Sequence, residues 1–135
     1  MAYWLMKSEP FVWSWEQQCG VKTEPWSGVR NYQARNYMKD MKKGDLSFFY
    51  HSSKGLEIVG IVEIVKAHYP DPEDERFVLV DVKAKTAFKT PVSLAAIKAE
   101  PRLQDLPLIR QSRLSVMPID KASWTLICKM GGVKV

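Results

Sequence analysis

Between Val78 and Lys89 apolar and charged residues alternate: Val78, Val80, Val82, Ala84 and Phe88 fall on one side, Asp81, Lys83, Lys85 and Lys89 on the other. Only an extended chain puts every second side chain on one face, so this stretch demands a long strand with one buried side and one basic, solvated side. Such a strand needs paired neighbours and a cover for its apolar face. Leu46–His51 is apolar enough to be buried on both faces, and Ile58–Val65 is β-branched, with Gly60 marking a bulge or a close backbone approach. Tyr3–Met6 reads as a first strand running out at Lys7-Ser8-Glu9-Pro10, and Ser115–Ile119 as the closing one.

The cover comes from short helices. From Asn31 to Lys42 the period turns helical, with Ala34, Tyr37, Met38 and Met41 on one face and Arg35, Lys39 and Lys42 as a basic stripe on another. Asn31 is placed to cap this helix and Gly44 to end it. Ser14, Ser93 and Asp120 are caps for further short helices over Trp15–Gln18, Leu94–Ala99 and Lys121–Lys129, and a brief segment surrounds Leu108–Arg110. Strands outnumber helices and are joined mostly by hairpins. The expectation is an α+β fold: a barrel-like, mostly antiparallel sheet flanked by short helices.

At 135 residues one core is all the chain can build, so residues 1–135 are read as a single domain. Only Cys19 and Cys128 occur, far apart and without a CxxC, which argues against a disulfide framework or a Cys-type zinc site and casts both as buried thiols. No apolar run approaches the length of a membrane span, and Lys7 and Glu9 stand where a signal peptide would be apolar. A reducing, cytoplasmic setting follows as the expectation. The net charge of +5 is unevenly spread: residues 76–135 carry +7, while residues 55–75 carry −5, mostly in Asp71-Pro72-Glu73-Asp74-Glu75. That tract reads as a solvated loop, leaving a basic body suited to an anionic partner.

Familiar catalytic layouts are missing: no GxSxG, HExxH, P-loop or GxGxxG occurs, and His51 and His68 have no metal-ligand spacing to any Cys or carboxylate. What stands out is a supply of aromatic and polar residues at the ends of segments. Trp13 and Trp15 follow Ser8 and Glu9; Trp26, Gly28, Arg30 and Asn31 lead into a helix; Tyr50, His51 and Ser52 end a strand. A planar ring ligand needs aromatic faces to stack on and a few fixed donors and acceptors to read its edge. Trp4 and Trp124, in apolar surroundings, read as core, whereas Trp13, Trp15 and Trp26 read as ligand-facing. Glu9 and Glu16 are the carboxylates nearest this aromatic cluster.

In order along the chain, Trp4-Leu5-Met6-Lys7-Ser8-Glu9-Pro10, Gly28-Val29-Arg30-Asn31-Tyr32-Gln33-Ala34-Arg35-Asn36, Phe48-Phe49-Tyr50-His51-Ser52 and Tyr69-Pro70-Asp71 resemble the EVE domain, a member of the PUA-like superfamily. The resemblance implies a small mixed β-barrel with peripheral helices. It also implies a non-catalytic pocket for a modified base, either methylated or hydroxymethylated cytosine in DNA or a modified base in RNA. No cofactor and no metal are implied. Only Pro72–Glu75 fills the place after Tyr69-Pro70-Asp71 where the family commonly has a longer insert.

Together these readings place a base on Trp26, with Trp13 or Tyr50 nearby and Ser8, Glu9, Asn31, His51 and Ser52 reading its edge. Lys7, Arg30, Arg35, Lys39 and Arg113 form the phosphate-holding rim. Two rival readings stay open: an enzyme acting on nucleotides or RNA, with Glu9 or His51 as the acid–base group, and a sensor of small molecules or proteins. The plainest reading of Ser8 and Glu9 is a satisfied turn and a surface ion pair with Lys7 or Arg30.

Overall fold

A computed structural model describes residues 1–134. In chain order the elements are β1 (Tyr3–Ser8), α1 (Trp15–Cys19), β2 (Glu24–Pro25), α2 (Tyr32–Asp40), β3 (Leu46–His51), β4 (Glu57–Asp71) and β5 (Asp74–Ser93). These are followed by α3 (Leu94–Ala99), a 3-10 turn at Pro101–Leu103, α4 (Pro107–Arg110), β6 (Val116–Ile119) and α5 (Lys121–Met130). All six strands join one sheet in the order β2-β5-β4-β3-β1-β6. Pairing is antiparallel except between β1 and β3, which run parallel from Tyr3 opposite Leu46 to Ser8 opposite His51.

The expected barrel is corrected: the fold is mixed α+β, but β2 and β6 stay as free edges and the sheet does not close. The reason lies in those edges. β2 is two residues long and ends in Pro25, and β6 is four residues with Pro118 inside it, so neither offers a full row of donors to the other. Curvature comes instead from repeated register shifts in the β4–β5 hairpin and one between Phe49 and Tyr50.

The periodic stretches form the expected elements, with shifted ends. The alternation at Val78–Lys89 lies inside the 20-residue β5, and β4 runs six residues past Val65. The tract read as a solvated loop is a tight turn between these strands, with Asp71 buried. Its carboxylate accepts from the Glu73 amide at 2.9 Å and pairs with Arg30 at 3.0 Å. Helix α2 stops at Asp40, because Met41 is extended, so Lys42 falls outside the basic stripe. Gly44 is no helix cap; it takes φ +96° in the following turn, where its N–H donates to Ile64 at 2.8 Å. Ser14, Asn31, Ser93 and Asp120 all cap as expected, each side chain accepting an N–H from the first turn.

Aromatic packing fastens the helices to the sheet. The Trp124 ring of α5 lies between Phe48, at 3.9 Å, and Tyr3, at 4.6 Å, both stacked. Trp15 of α1 covers Gly60 so closely that a Cβ built there would overlap the indole, which accounts for the glycine in a β-branched strand. Trp15 meets Phe49 edge-on at 5.4 Å and packs, half-buried, against the core. Cys128 is buried, and burial pushes its thiol up to about 11. Cys19 is exposed at the end of α1, against the expectation of a buried thiol.

Asp45 holds one end of the parallel pair. Its buried carboxylate accepts the Ala2 N–H at 3.1 Å, the Trp4 indole N–H at 3.1 Å and the Lys42 N–H at 2.9 Å. At the other end His51 Nε2 accepts the Trp15 N–H at 3.0 Å, which requires a neutral ring. Burial lowers the His51 pKa below its ordinary 6.5, with Glu57 opposing the shift.

Two predictions follow from these ties. Asp45→Asn turns an amide NH₂ toward donors that need acceptors, and should cost about 1–3 kcal/mol in urea unfolding at constant m-value. Because the folded His51 pKa is depressed, the unfolded chain binds the extra proton. The stabilising bond is therefore fully present above pH 6.5 and is lost as pH falls through the folded value. Unfolding midpoints should drop in that window, and His51→Gln should show less of this drop.

Candidate nucleic-acid interface

The parallel pairing of β1 and β3 brings their C-terminal ends side by side, and Ser52 N–H donates to Ser8 C=O at 2.9 Å just beyond them. Two turns leave from this point, Glu9–Ser14 and Ser52–Leu56. Opposite them, the backbone after β2 is held to β5 by the Trp26 N–H donating to Val80 at 2.7 Å. Gly28, at φ +82°, then turns the chain toward α2.

Between these segments lie two adjoining cavities. The first, about 320 Å³, has Trp13 and Trp26 in its wall together with Ser8, Glu9 and Glu24. The second, about 480 Å³, carries Tyr50, Ser52, Arg30 and Arg113. Lys7, Glu9, Trp26, Ser27 and Gly28 belong to both. A smaller hollow at Asn31, Gln33 and Arg110–Leu114 continues from the second through Ser112 and Arg113.

Ring packing and hydrogen bonds hold several of the wall residues in place. Trp26 is only 6% exposed and meets Phe49 edge-on at 5.4 Å, so it is core and cavity wall at once. The Trp13 indole N–H donates to Gln18 Oε1 at 2.9 Å, and Gln18 is fully buried, its amide directed at the Val82 carbonyl. Ser8 Oγ donates to the Trp13 carbonyl, so its turn role is real, and the residue also lines the first cavity. Glu9 takes part in no ion pair among the described residues; neither Lys7 nor Arg30 reaches it. Lys7 Nζ donates to the Ser112 carbonyl at 2.9 Å and lies 5.8 Å from the Tyr50 ring centre; burial lowers its pKa. Burial, and then the nearby Asp81 carboxylate, raises the pKa of Glu24.

The structure thus brings Lys7, Ser8, Glu9, Trp13, Trp26, Tyr50, Ser52, Arg30 and Arg113 around one cleft. The others lie elsewhere. His51 walls neither cavity, because its acceptor nitrogen is used by Trp15. Asn31 spends its side-chain oxygen on the Ala34 N–H at 2.9 Å and lies in the smaller hollow. Arg35 stacks on Tyr32 at 4.8 Å and donates to the Arg76 carbonyl at 3.0 Å, and Lys39 stands exposed on α2; neither walls these cavities. Arg30 is at the cleft, but Asp71 at 3.0 Å and Glu73 at 3.7 Å already match its charge.

Sequence reasoning named Glu16 beside Glu9, whereas Glu24 is the second carboxyl of the first cavity. It also missed Gln18, whose position on the inner side of a capped helical turn was the one available signal. Among the described residues no group of three or more His, Cys, Asp or Glu side chains converges to hold a metal ion, and no helix is long and apolar enough to cross a membrane.

The EVE domain family model matches residues 2–130. Mouse thymocyte nuclear protein 1 is 33% identical over 167 aligned positions, covering 95% of this chain and 73% of that protein. A solved structure from Rhodopseudomonas palustris is 56% identical, with a TM-score of 0.93 over 98% of this chain and 94% of that one. Human thymocyte nuclear protein 1, solved in complex with DNA containing 5-methylcytosine, superposes with a TM-score of 0.91 at 28% identity over 100% of both chains. The matched span takes in every strand and both cavities, and the chain belongs to the EVE domain family.

Proposed function

We propose that this protein is a non-catalytic reader of modified bases in nucleic acid, with 5-methylcytosine in DNA as its ligand. The observation that carries the reading is Glu9: a carboxylate without an ion-pair partner among the described residues, in the wall shared by both cavities, beside Trp26. Carboxylates accept from the cytosine N4 amine, and indole faces stack on any base. The human relative solved with 5-methylcytosine DNA supports the same chemistry.

The two requirements of such a reader fall to different groups. A C5 methyl is worth only about 0.8 kcal/mol of burial, near fourfold in affinity, so the fit of the cavity around Trp13 and Trp26 must add to it. Thymine carries the same methyl but offers an acceptor where cytosine offers N4–H₂, so telling these two apart falls to the carboxylate. Lys7 and Arg113 hold the flanking phosphates, since Arg30 is neutralised from within.

The reading is tested by binding short oligonucleotides with 5-methylcytosine, cytosine or thymine at one position. Wild type should prefer them in that order. Glu9→Gln should narrow the gap between 5-methylcytosine and thymine by about 1–3 kcal/mol, measured by fluorescence anisotropy, while leaving the unfolding curve in place. No preference among the three in wild type would sink the proposal, as would release of an altered nucleoside detected by mass spectrometry. Trp26→Ala is a poor test, since removing a buried indole costs about 3–5 kcal/mol of stability.

Salt dependence supplies an independent check. Arg113→Ala should flatten the plot of log affinity against log salt by about one unit, the worth of one phosphate contact, for every sequence alike. Lys39→Ala, away from the cleft, should leave the slope unchanged.

A further inference from the structure

Of the large apolar residues that stand exposed, two line this cleft, Val12 at 67% and Leu56 at 43%, and Phe11 at 72% precedes Val12 in the same turn. Val12 lines the first cavity and Leu56 the second. Pro10 fixes the turn's first corner, and the Val12 and Trp13 N–H groups both donate to the Glu9 carbonyl at 2.9 Å. Phe11 stands at the tip of the turn that these hydrogen bonds close, one residue from the cavity wall. The stem of this turn is part of the cavity wall, through Glu9, Val12 and Trp13, and Trp13 is fastened by Gln18.

An aromatic ring held out in water on a turn whose stem walls a base-sized cavity is unfavourable unless something covers it when the site is in use. Local structure does not require it: the turn is made by Pro10 and backbone bonds, and a polar residue would serve at its tip. We propose that Phe11 is a wedge, entering the base stack of duplex DNA at the gap left by the base that swings into the cavity. The inference rests on the base-binding reading above and extends it: the substrate is a paired duplex, and the protein itself pushes the base out. Wedging side chains of this kind are apolar, sit on short rigid supports and offset the cost of unstacking. Phe11 has those properties, and the cations Lys7 and Arg113 stand at the same cleft to hold the strand.

The test compares one 5-methylcytosine in a duplex and in the matching single strand, using Phe11→Ala and Phe11→Leu of the full chain. Because Phe11 is exposed, neither variant should shift thermal unfolding. Phe11→Ala should weaken duplex binding by about tenfold and single-strand binding by less than about twofold, since a single strand has no paired stack to open. Phe11→Leu should recover most of the duplex affinity. A 2-aminopurine placed beside the modified base should brighten on binding to wild type and stay dim with Phe11→Ala. Equal losses on both ligands, or no loss on the duplex, would overturn the wedge. Wild-type preference for modified over unmodified single strands reads the cavity alone, so failure of the wedge and failure of the cavity give different results.

Discussion

Asp45 is the interaction on which the arrangement of this sheet depends. A buried carboxylate is costly unless donors surround it, and here three N–H groups do so, one before β1, one on the Trp4 ring and one from the turn after α2. By gathering these three it sets β1 beside β3 in a parallel register, in a sheet whose other pairings are antiparallel. Parallel neighbours end on the same side. Had β1 and β3 run antiparallel, Ser8 and His51 would lie at opposite ends of the sheet and no shared cleft could form between the turns that follow them.

From that register the site assembles by short steps. The turn after β1 carries Glu9 and Trp13, the turn after β3 carries Ser52 and Leu56, and the stretch after β2 closes the third side with Trp26 and Gly28. The second layer is what makes these positions firm. Gln18 holds the Trp13 indole, His51 holds the start of α1, and Gly60 lets the Trp15 indole come close to the sheet. Part of what looks like recognition chemistry in this region is therefore support: the His51 acceptor, spent on the Trp15 N–H, cannot also read a ligand.

The acidic turn between β4 and β5 changes the meaning of the net charge. Asp71 and Glu73 face Arg30, and Asp74 pairs with Arg76 at 2.8 Å, an exposed pair that holds the Asp74 carboxyl down to about 2. These acids are partners for specific arginines rather than a separate solvated patch. The cleft consequently keeps Lys7 and Arg113 outside any ion pair, and its carboxylates Glu9 and Glu24 likewise form none among the described residues.

The one-dimensional pattern determined the elements. Alternation marked β5, the helical period marked α2, and Ser14, Asn31, Ser93 and Asp120 capped where their chemistry predicts, because these signals depend on neighbours a few residues away. The family motif at Trp4–Pro10 led to Ser8 and Glu9, and placement outside any periodic segment led to Trp13 and Trp26, all four at the cleft. Tertiary structure decided what no local signal carries: that β1 and β3 are parallel, that the sheet stays open, and that Asp71 turns inward to Arg30. It also separated His51, Asn31 and Arg35 from the site, by giving each a partner distant or capping that consumes its polar atoms. A residue's type states which bonds it can make; which of them remain for a ligand is settled only when the chain has folded and the other partners have taken theirs.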